Sequence, residues 1–275
     1  MANYKIISFD LDGTLLNSAQ KISDENQQAI AELTERGVLF VPNSGRALDE
    51  MPNAIRNHPH ARYIIYSDGA VIYDRQNDTR DTAFIDADVC NAIWDILSEY
   101  AHFAIVHRDA TAFAERSKCT LEYMNEHNVG PGFQEMIFKK NVLIDELVEN
   151  CRGRDDMEMI CAFFKHDEDL EECSRRVKAL GGVMIVSSFA HNIEIISERA
   201  GKGKALHRLA LLTGIDPSET IAVGDSSNDS EVIRAAGLGI AMKNAWDELK
   251  EIADAVADCT NDEHVAKYIL ENYIK

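Results

Sequence analysis

Asp10 and Asp12 stand two residues apart in the stretch Asp10-Leu11-Asp12-Gly13-Thr14. In extended backbone, positions i and i+2 point the same way, so both carboxylates can address one site. Two carboxylates side by side repel, and such a pair calls for a hard cation or a shared proton. Gly13 lets the chain turn away and leaves main-chain N–H groups open to an anion. A second acidic group follows far along the chain in Gly224-Asp225-Ser226-Ser227-Asn228-Asp229. Oxygen ligands with neither cysteine nor clustered histidine suit magnesium better than zinc. Lys202 adds one positive charge for a phosphoryl group, and Ser44 adds a hydroxyl donor.

Each piece has a plainer reading when it stands alone. Asp-x-Asp before glycine is commonly just a turn. Ser44 would serve as the N-cap of a helix starting near Arg46. A single lysine such as Lys202 is most often solvated, and Asp229 suits the first turn of a helix. Together, in this order and each after an apolar strand, they outweigh those readings.

The elements that must position them are legible as short apolar runs. Lys5 to Phe9, Val38 to Val41 and Thr220 to Val223 read as buried parallel strands, ending at Asp10, Ser44 and Asp225. Ile240-Ala241-Met242 runs into Lys243-Asn244, and Tyr63 to Tyr66 ends at the turn signal Ser67-Asp68-Gly69. Ile193 to Ile196 reads as one more strand of this rhythm. Ser23 caps a helix that Gly37 stops, and Gly201-Lys202-Gly203-Lys204 opens one that Gly214 stops. Thr260 and Glu263 form a capping box for the C-terminal helix. This alternation predicts an α/β fold, a parallel sheet with helices on both faces. Ligands bind such sheets outside the carboxyl ends of the strands, where the polar residues fall.

The middle of the chain has another texture. Helices around Val89 to Leu97, Leu121 to His127 and Leu170 to Leu180 mix with strands at Phe103 to Val106, Met157 to Phe164 and Val183 to Val186. Residues 84–189 therefore read as an α+β domain inserted into a split core of residues 1–83 and 190–275. Trp94 and Tyr123 have the helical spacing of core residues. His58 and His60 fall in a loop and read as solvated.

Composition excludes several classes. The chain has 275 residues, and 28 Lys+Arg against 47 Asp+Glu give a net charge of −19. That field argues against nucleic acid partners and anionic membranes. Hydrophobic residues at 45% and charged residues at 27% are those of a folded globular chain. No apolar run is long enough to span a membrane or form a signal-peptide core, so the expected location is cytoplasmic. The six cysteines form no C-x-x-C pair and read as reduced thiols.

The motif set resembles the haloacid dehalogenase-like (HAD) hydrolase superfamily. Asp10-Leu11-Asp12-Gly13-Thr14 resembles its first motif, Ser44 its second, Lys202 its third and Gly224-Asp225-x-x-Asn228-Asp229 its fourth. More narrowly, Ser44-Gly45-Arg46, Lys202-Gly203-Lys204-Ala205-Leu206 and Ala241-Met242-Lys243-Asn244-Ala245 resemble the Cof-type phosphatases. The resemblance covers essentially the whole chain. It implies a Rossmann-like core with an inserted α+β cap that sets specificity. Asp68-Gly69 stands where relatives commonly have Asn-Gly, so an amide contact there becomes a carboxylate. Lys202 rather than Lys204 takes the third-motif role because it precedes the glycine.

The resemblance also implies a mechanism and a substrate class. Asp10 would be the nucleophile, forming an aspartyl-phosphate, and Asp12 the general acid and base. Mg2+ would be held by Asp10, the main-chain carbonyl of Asp12, Asp225 and Asp229. Ser44, Gly45, Arg46 and Lys202 would bind the substrate phosphate, with Asn228 and Asn244 as supporting donors. The expected activity is a phosphatase acting on small phosphorylated metabolites such as sugar phosphates. A phosphomutase on the same fold and a non-catalytic phospho-ligand-binding regulatory protein are the alternatives. Monomer and homodimer stay open.

Overall fold

The computed structural model describes residues 3–187 and 191–274. The expected domain junction between residues 189 and 190 lies outside them. In chain order the strands are β1 (Ile6–Phe9), β2 (Leu39–Pro42), β3 (Tyr63–Tyr66), β4 (Val71–Asp74), β5 (Thr79–Thr82), β6 (His102–Arg108), β7 (Thr111–Glu115), β8 (Val142–Ile144), β9 (Met157–Phe164), β10 (Val183–Val186), β11 (Asn192–Ser197), β12 (Thr220–Gly224), β13 (Leu238–Ala241) and β14 (Ala255–Val256). The chain divides into two compact units, Met1–Gly45 with Met51–Thr82 and Gly201–Lys275, and Arg46–Glu50 with Ala83–Ala200.

The first unit is built on a parallel sheet in the order β14-β13-β12-β1-β2. Every residue of β1 and of β12 is buried, which is why these segments are apolar with no alternation. From β1 the chain moves outward to β2, and from β12 it moves outward the other way. The order therefore reverses between β1 and β12, where the loops of an open sheet part and leave a crevice. Pairing of Ile6 with Thr220 through Phe9 with Val223 sets the two carboxyl ends level. Asp10 and Gly224-Asp225 thus leave the sheet side by side.

Local signals fix the helices of this unit. Ser23 accepts the Asn26 N–H at the start of Asp24–Glu35, and Gly37 follows it at φ 82°. Lys202–Thr213 starts after Gly201 and ends at the left-handed Gly214. Thr260 and Glu263 do pair, the Thr260 N–H donating to Glu263 Oε2 at 2.6 Å. They close a separate turn, however, and the C-terminal helix Val265–Tyr273 is capped at His264. Strands β3, β4 and β5 form a small antiparallel sheet. Between β3 and β4, Ser67, Asp68 and Gly69 all take positive φ. His58 is buried rather than solvated, with its ring 5.1 Å from that of Phe40.

The second unit holds a six-stranded sheet in the order β10-β11-β9-β6-β7-β8, antiparallel except for β7 with β8. The strand at Ile193 to Ile196 belongs here and not beside the parallel strands. An apolar run shows burial but not the direction of its partners. One face of this sheet, with Ala104, Val106, Ile160, Ala162 and Ile195, packs with Trp94 and Cys173 into a core. The six cysteines are free thiols. Among the described residues no helix is long and apolar enough to cross a membrane.

Candidate active site

Asp10 continues the β1 ladder, its N–H donating to Val223 O at 3.0 Å, and then turns its carboxylate inward. One oxygen each from Asp10, Asp225 and Asp229 lies within 4.8 Å of the others. Lys202, only 2% exposed, closes the cluster. Its Nζ donates to Asp10 Oδ1 at 2.6 Å and to Asp229 Oδ1 at 2.7 Å. Asp229 also ties its own loop, its Oδ2 accepting the N–H groups of Asp225 (3.0 Å) and Ser226 (3.2 Å). Thr14 donates to Asp225 Oδ1 at 3.2 Å.

Two glycines make this closeness possible. A Cβ on Gly13, whose φ is +77°, would lie 2.3 Å from Asp225 Oδ2. A Cβ on Gly224 would lie 2.4 Å from Asp229 Cγ. Any side chain there would push a carboxylate out of the cluster.

The electrostatics follow from placing two buried acids and one half-buried acid beside one base. Burial raises the Asp10 carboxyl well above the usual carboxylate range. Lys202 opposes that shift, and Asp229 and Asp225 add to it. Asp225 is pushed up to about 7, first by burial and then by the charge of Asp229. For Lys202, burial works against the charge, but Asp10, Asp229 and Asp68 outweigh it and hold the ammonium well above the ordinary lysine value. The cluster is short of positive charge, and all the ligand atoms it offers are carboxylate oxygens.

The remaining sequence candidates fall around this cluster in different ways. Asp12 is exposed and accepts from Gln20 Nε2 at 3.1 Å, and its charge is felt at Asp225. Ser44 is buried, its N–H donating to Ile65 O (3.1 Å) and its carbonyl accepting from Asp68 N–H (3.2 Å). Gly45 lies against the Asp68 carboxylate, where a Cβ would come within 3.0 Å. Arg46 begins the second unit, where its Nη1 donates to Glu50 O at 3.4 Å. Asn228 accepts from Ser226 Oγ at 2.8 Å. Asn244 donates to Gly13 O at 2.8 Å and accepts the Asn261 N–H at 3.1 Å, so its amide braces the Gly13 turn. Lys204 is exposed, in contrast to Lys202.

Sequence reading missed Asn43 and Glu231, and at Asp68 it pointed to the side chain and not to the main chain. Asn43 Nδ2 donates to Ser8 Oγ (3.0 Å) and to Lys202 O (3.2 Å). The Asp68 carbonyl accepts the Gly201 N–H at 2.9 Å. Glu231 lies against Gly201, whose Cβ would fall 2.2 Å from Glu231 Oε2. The available signal was the pair of glycines flanking Lys202, which marks a close approach by another group.

Fold and site together define an α/β enzyme with a carboxylate centre at the switch point of a parallel sheet. The family model for haloacid dehalogenase-like hydrolases matches residues 7–269. Phosphatase YwpJ of Bacillus subtilis is 32% identical over 98% of this chain and 100% of its own length. The 5-amino-6-(5-phospho-D-ribitylamino)uracil phosphatase YcsE of Bacillus subtilis is 29% identical over 96% of this chain and 94% of its own. A solved haloacid dehalogenase-like hydrolase from B. subtilis superposes with a TM-score of 0.84 at 30% identity, covering 98% of this chain and 100% of that one. The chain belongs to the haloacid dehalogenase-like hydrolases and is a phosphatase.

Proposed function

We propose that this phosphatase is magnesium-dependent and hydrolyses small phosphorylated metabolites, sugar phosphates and related polyol phosphates, through an aspartyl-phosphate on Asp10. The observation that carries this reading is the triad of buried Asp10 and Asp229 with half-buried Asp225, and the Lys202 ammonium bonded across the two buried acids. The polyol class is supported by YcsE, which acts on a phosphoribityl compound by its name.

The residues fit magnesium. The cluster presents only carboxylate oxygens, and one ammonium leaves it short of positive charge. Asp10, Asp225, Asp229 and the Asp12 carbonyl would hold the ion, which when bound neutralises charge on the transferring phosphoryl group. In the reaction, an Asp10 carboxylate oxygen bonds to phosphorus as the bond from phosphorus to the substrate oxygen breaks. Asp12, on the exposed side, gives its proton to that leaving oxygen. It then takes a proton from a water molecule, whose oxygen displaces Asp10 from phosphorus and releases phosphate. Lys202 and Ser44 hold the phosphoryl oxygens, with Gly45, Arg46, Asn228 and Asn244 contributing donors or bracing the loops. The second unit, reading as a cap, selects the leaving group.

Two variants test the chemistry. Asp10→Asn should abolish magnesium-dependent phosphate release from an aryl phosphate, and full activity would remove Asp10 as nucleophile. Asp12→Asn should keep the fold and metal binding but lose turnover, while wild-type turnover would reject its acid and base role. Oxygen from labelled water in the released phosphate separates hydrolysis from mutase chemistry. A panel of phosphorylated metabolites ranked by kcat/KM tests the substrate class, and polyol phosphates at the bottom of that ranking would refute it.

A further inference from the structure

We infer that Glu231 is a positioning residue for Lys202, clamping the lysine's main chain while Asp229 holds its ammonium. This rests on the reading of Lys202 as the ligand of the phosphoryl group. A lysine side chain has four rotatable carbons and no fixed geometry of its own, so its placement depends on how firmly its backbone is held. The main chain around Lys202 is held from three sides. Upstream, the Gly201 N–H donates to Asp68 O at 2.9 Å, and at Lys202 itself the carbonyl accepts from Asn43 at 3.2 Å. Downstream, the Glu231 carboxylate accepts the N–H groups of Lys204 and Gly203.

The approach of Glu231 is built into both glycines. A Cβ on Gly201 would lie 2.2 Å from Glu231 Oε2, and one on Gly203 would lie 2.9 Å from the Glu231 carbonyl. Glycine at 203 lets helix Ser230–Ala235 press this closely on helix Lys202–Thr213, and glycine at 201 leaves room for the Glu231 carboxylate. Asp229 and Glu231 sit two residues apart at the head of one short helix. One meets the tip of Lys202 and the other its backbone. A second consequence follows from the dipole. The bare N–H groups that begin a helix attract phosphate. With Glu231 seated on them, the anion is left to the Lys202 Nζ.

The test reads inorganic phosphate affinity by calorimetric titration, beside aryl phosphate kinetics, in a double-mutant cycle. In the wild-type background, Glu231→Ala should weaken phosphate binding about 10-fold while circular dichroism shows the fold retained, a loss typical of a misplaced binding group. Glu231→Gln keeps one acceptor oxygen and should recover most of that loss. In a Lys202→Ala background, Glu231→Ala should change phosphate affinity by less than about 2-fold, because it acts through the lysine. Losses that multiply across the two sites overturn the positioning role and leave the reading of Lys202 intact. A Lys202→Ala protein that binds phosphate like the wild type refutes the reading of Lys202 and the proposal with it. If Glu231→Ala does not fold, Glu231→Asp, which withdraws the carboxylate by one methylene, takes its place in the cycle, and the same two results overturn the same two statements.

Discussion

Gly13 carries as much of the site as the acids it separates. With its φ at +77° and the space of a Cβ already taken by Asp225 Oδ2 at 2.3 Å, any other residue there must displace the Asp225 carboxylate. Gly13→Ala should cost about 1–2 kcal/mol in a urea melt, the range for a side chain forced into left-handed backbone. Its effect on kcat for an aryl phosphate should be larger, about 100-fold, because displacing Asp225 opens the carboxylate cluster. A variant with wild-type kcat would show that Asp225 can move without consequence. The acids themselves were visible as residue types at strand ends. Their grouping was not, since Asp10 and Asp229 are brought to one ammonium from opposite ends of the chain. Asn244 shows the limit at this scale. Its residue type suits a donor, but that the amide braces the Gly13 carbonyl is not readable from the chain.

At the scale of elements, caps and stops were the surest signals because they are local. Ser23 illustrates this, accepting the Asn26 N–H at 3.3 Å. Ser23→Ala should lower stability by about 1 kcal/mol, read as a shift of the denaturant midpoint, and leave kcat unaltered. A stability change near zero would mean that solvent replaces the cap fully. Thr260 and Glu263 have the same local chemistry but cap no helix, because the pair closes its own turn before Val265. Ile193 to Ile196 was legible as a strand. Its membership in the antiparallel sheet was not, because pairing with Cys161 and Ile160 is a long-range choice. Helix Pro131–Lys140 and strand β8 were not legible either. Phe133, Met136 and Ile137 do have helical spacing, but the helix is short and opens on Pro131-Gly132, and β8 spans three residues.

For the whole molecule, buried histidines in both units set a common acid limit. Burial, the largest cause, pushes His58 down to about 4 in the first unit and His102 down to about 4 in the second. The unfolded chain takes up these protons near 6.5, while the folded chain refuses them until about 4. Their contribution to stability is therefore full above pH 6.5 and declines as pH falls through that window. The loss per histidine should reach about 2 kcal/mol by pH 5. Asp225, raised to about 7, contributes with the opposite sign, so the measurement is a difference between proteins. His102→Asn keeps a donor for Tyr100 O, which His102 Nδ1 meets at 2.9 Å. Its urea stability should fall less than that of wild type between pH 7.5 and pH 5, and parallel slopes would reject the assignment. The net charge of −19 also reads differently at this scale. Part of the acid excess is gathered at one cluster around Lys202, where it favours a cation and, through it, an anionic ligand.

Read alone, the sequence was enough for the parallel α/β class, the acidic residues at strand ends and the family. Those depend on local apolar runs, caps and motif spacing, which are written in neighbouring residues. Folding in three dimensions settled which sheet β11 joins, that Asp10, Asp225 and Asp229 gather with Lys202 bonded to two of them, and that Glu231 lies against the glycines flanking Lys202. These are contacts between distant segments, fixed by strand register and by which helices meet; the glycines beside Lys202 mark a close approach but do not say which group makes it.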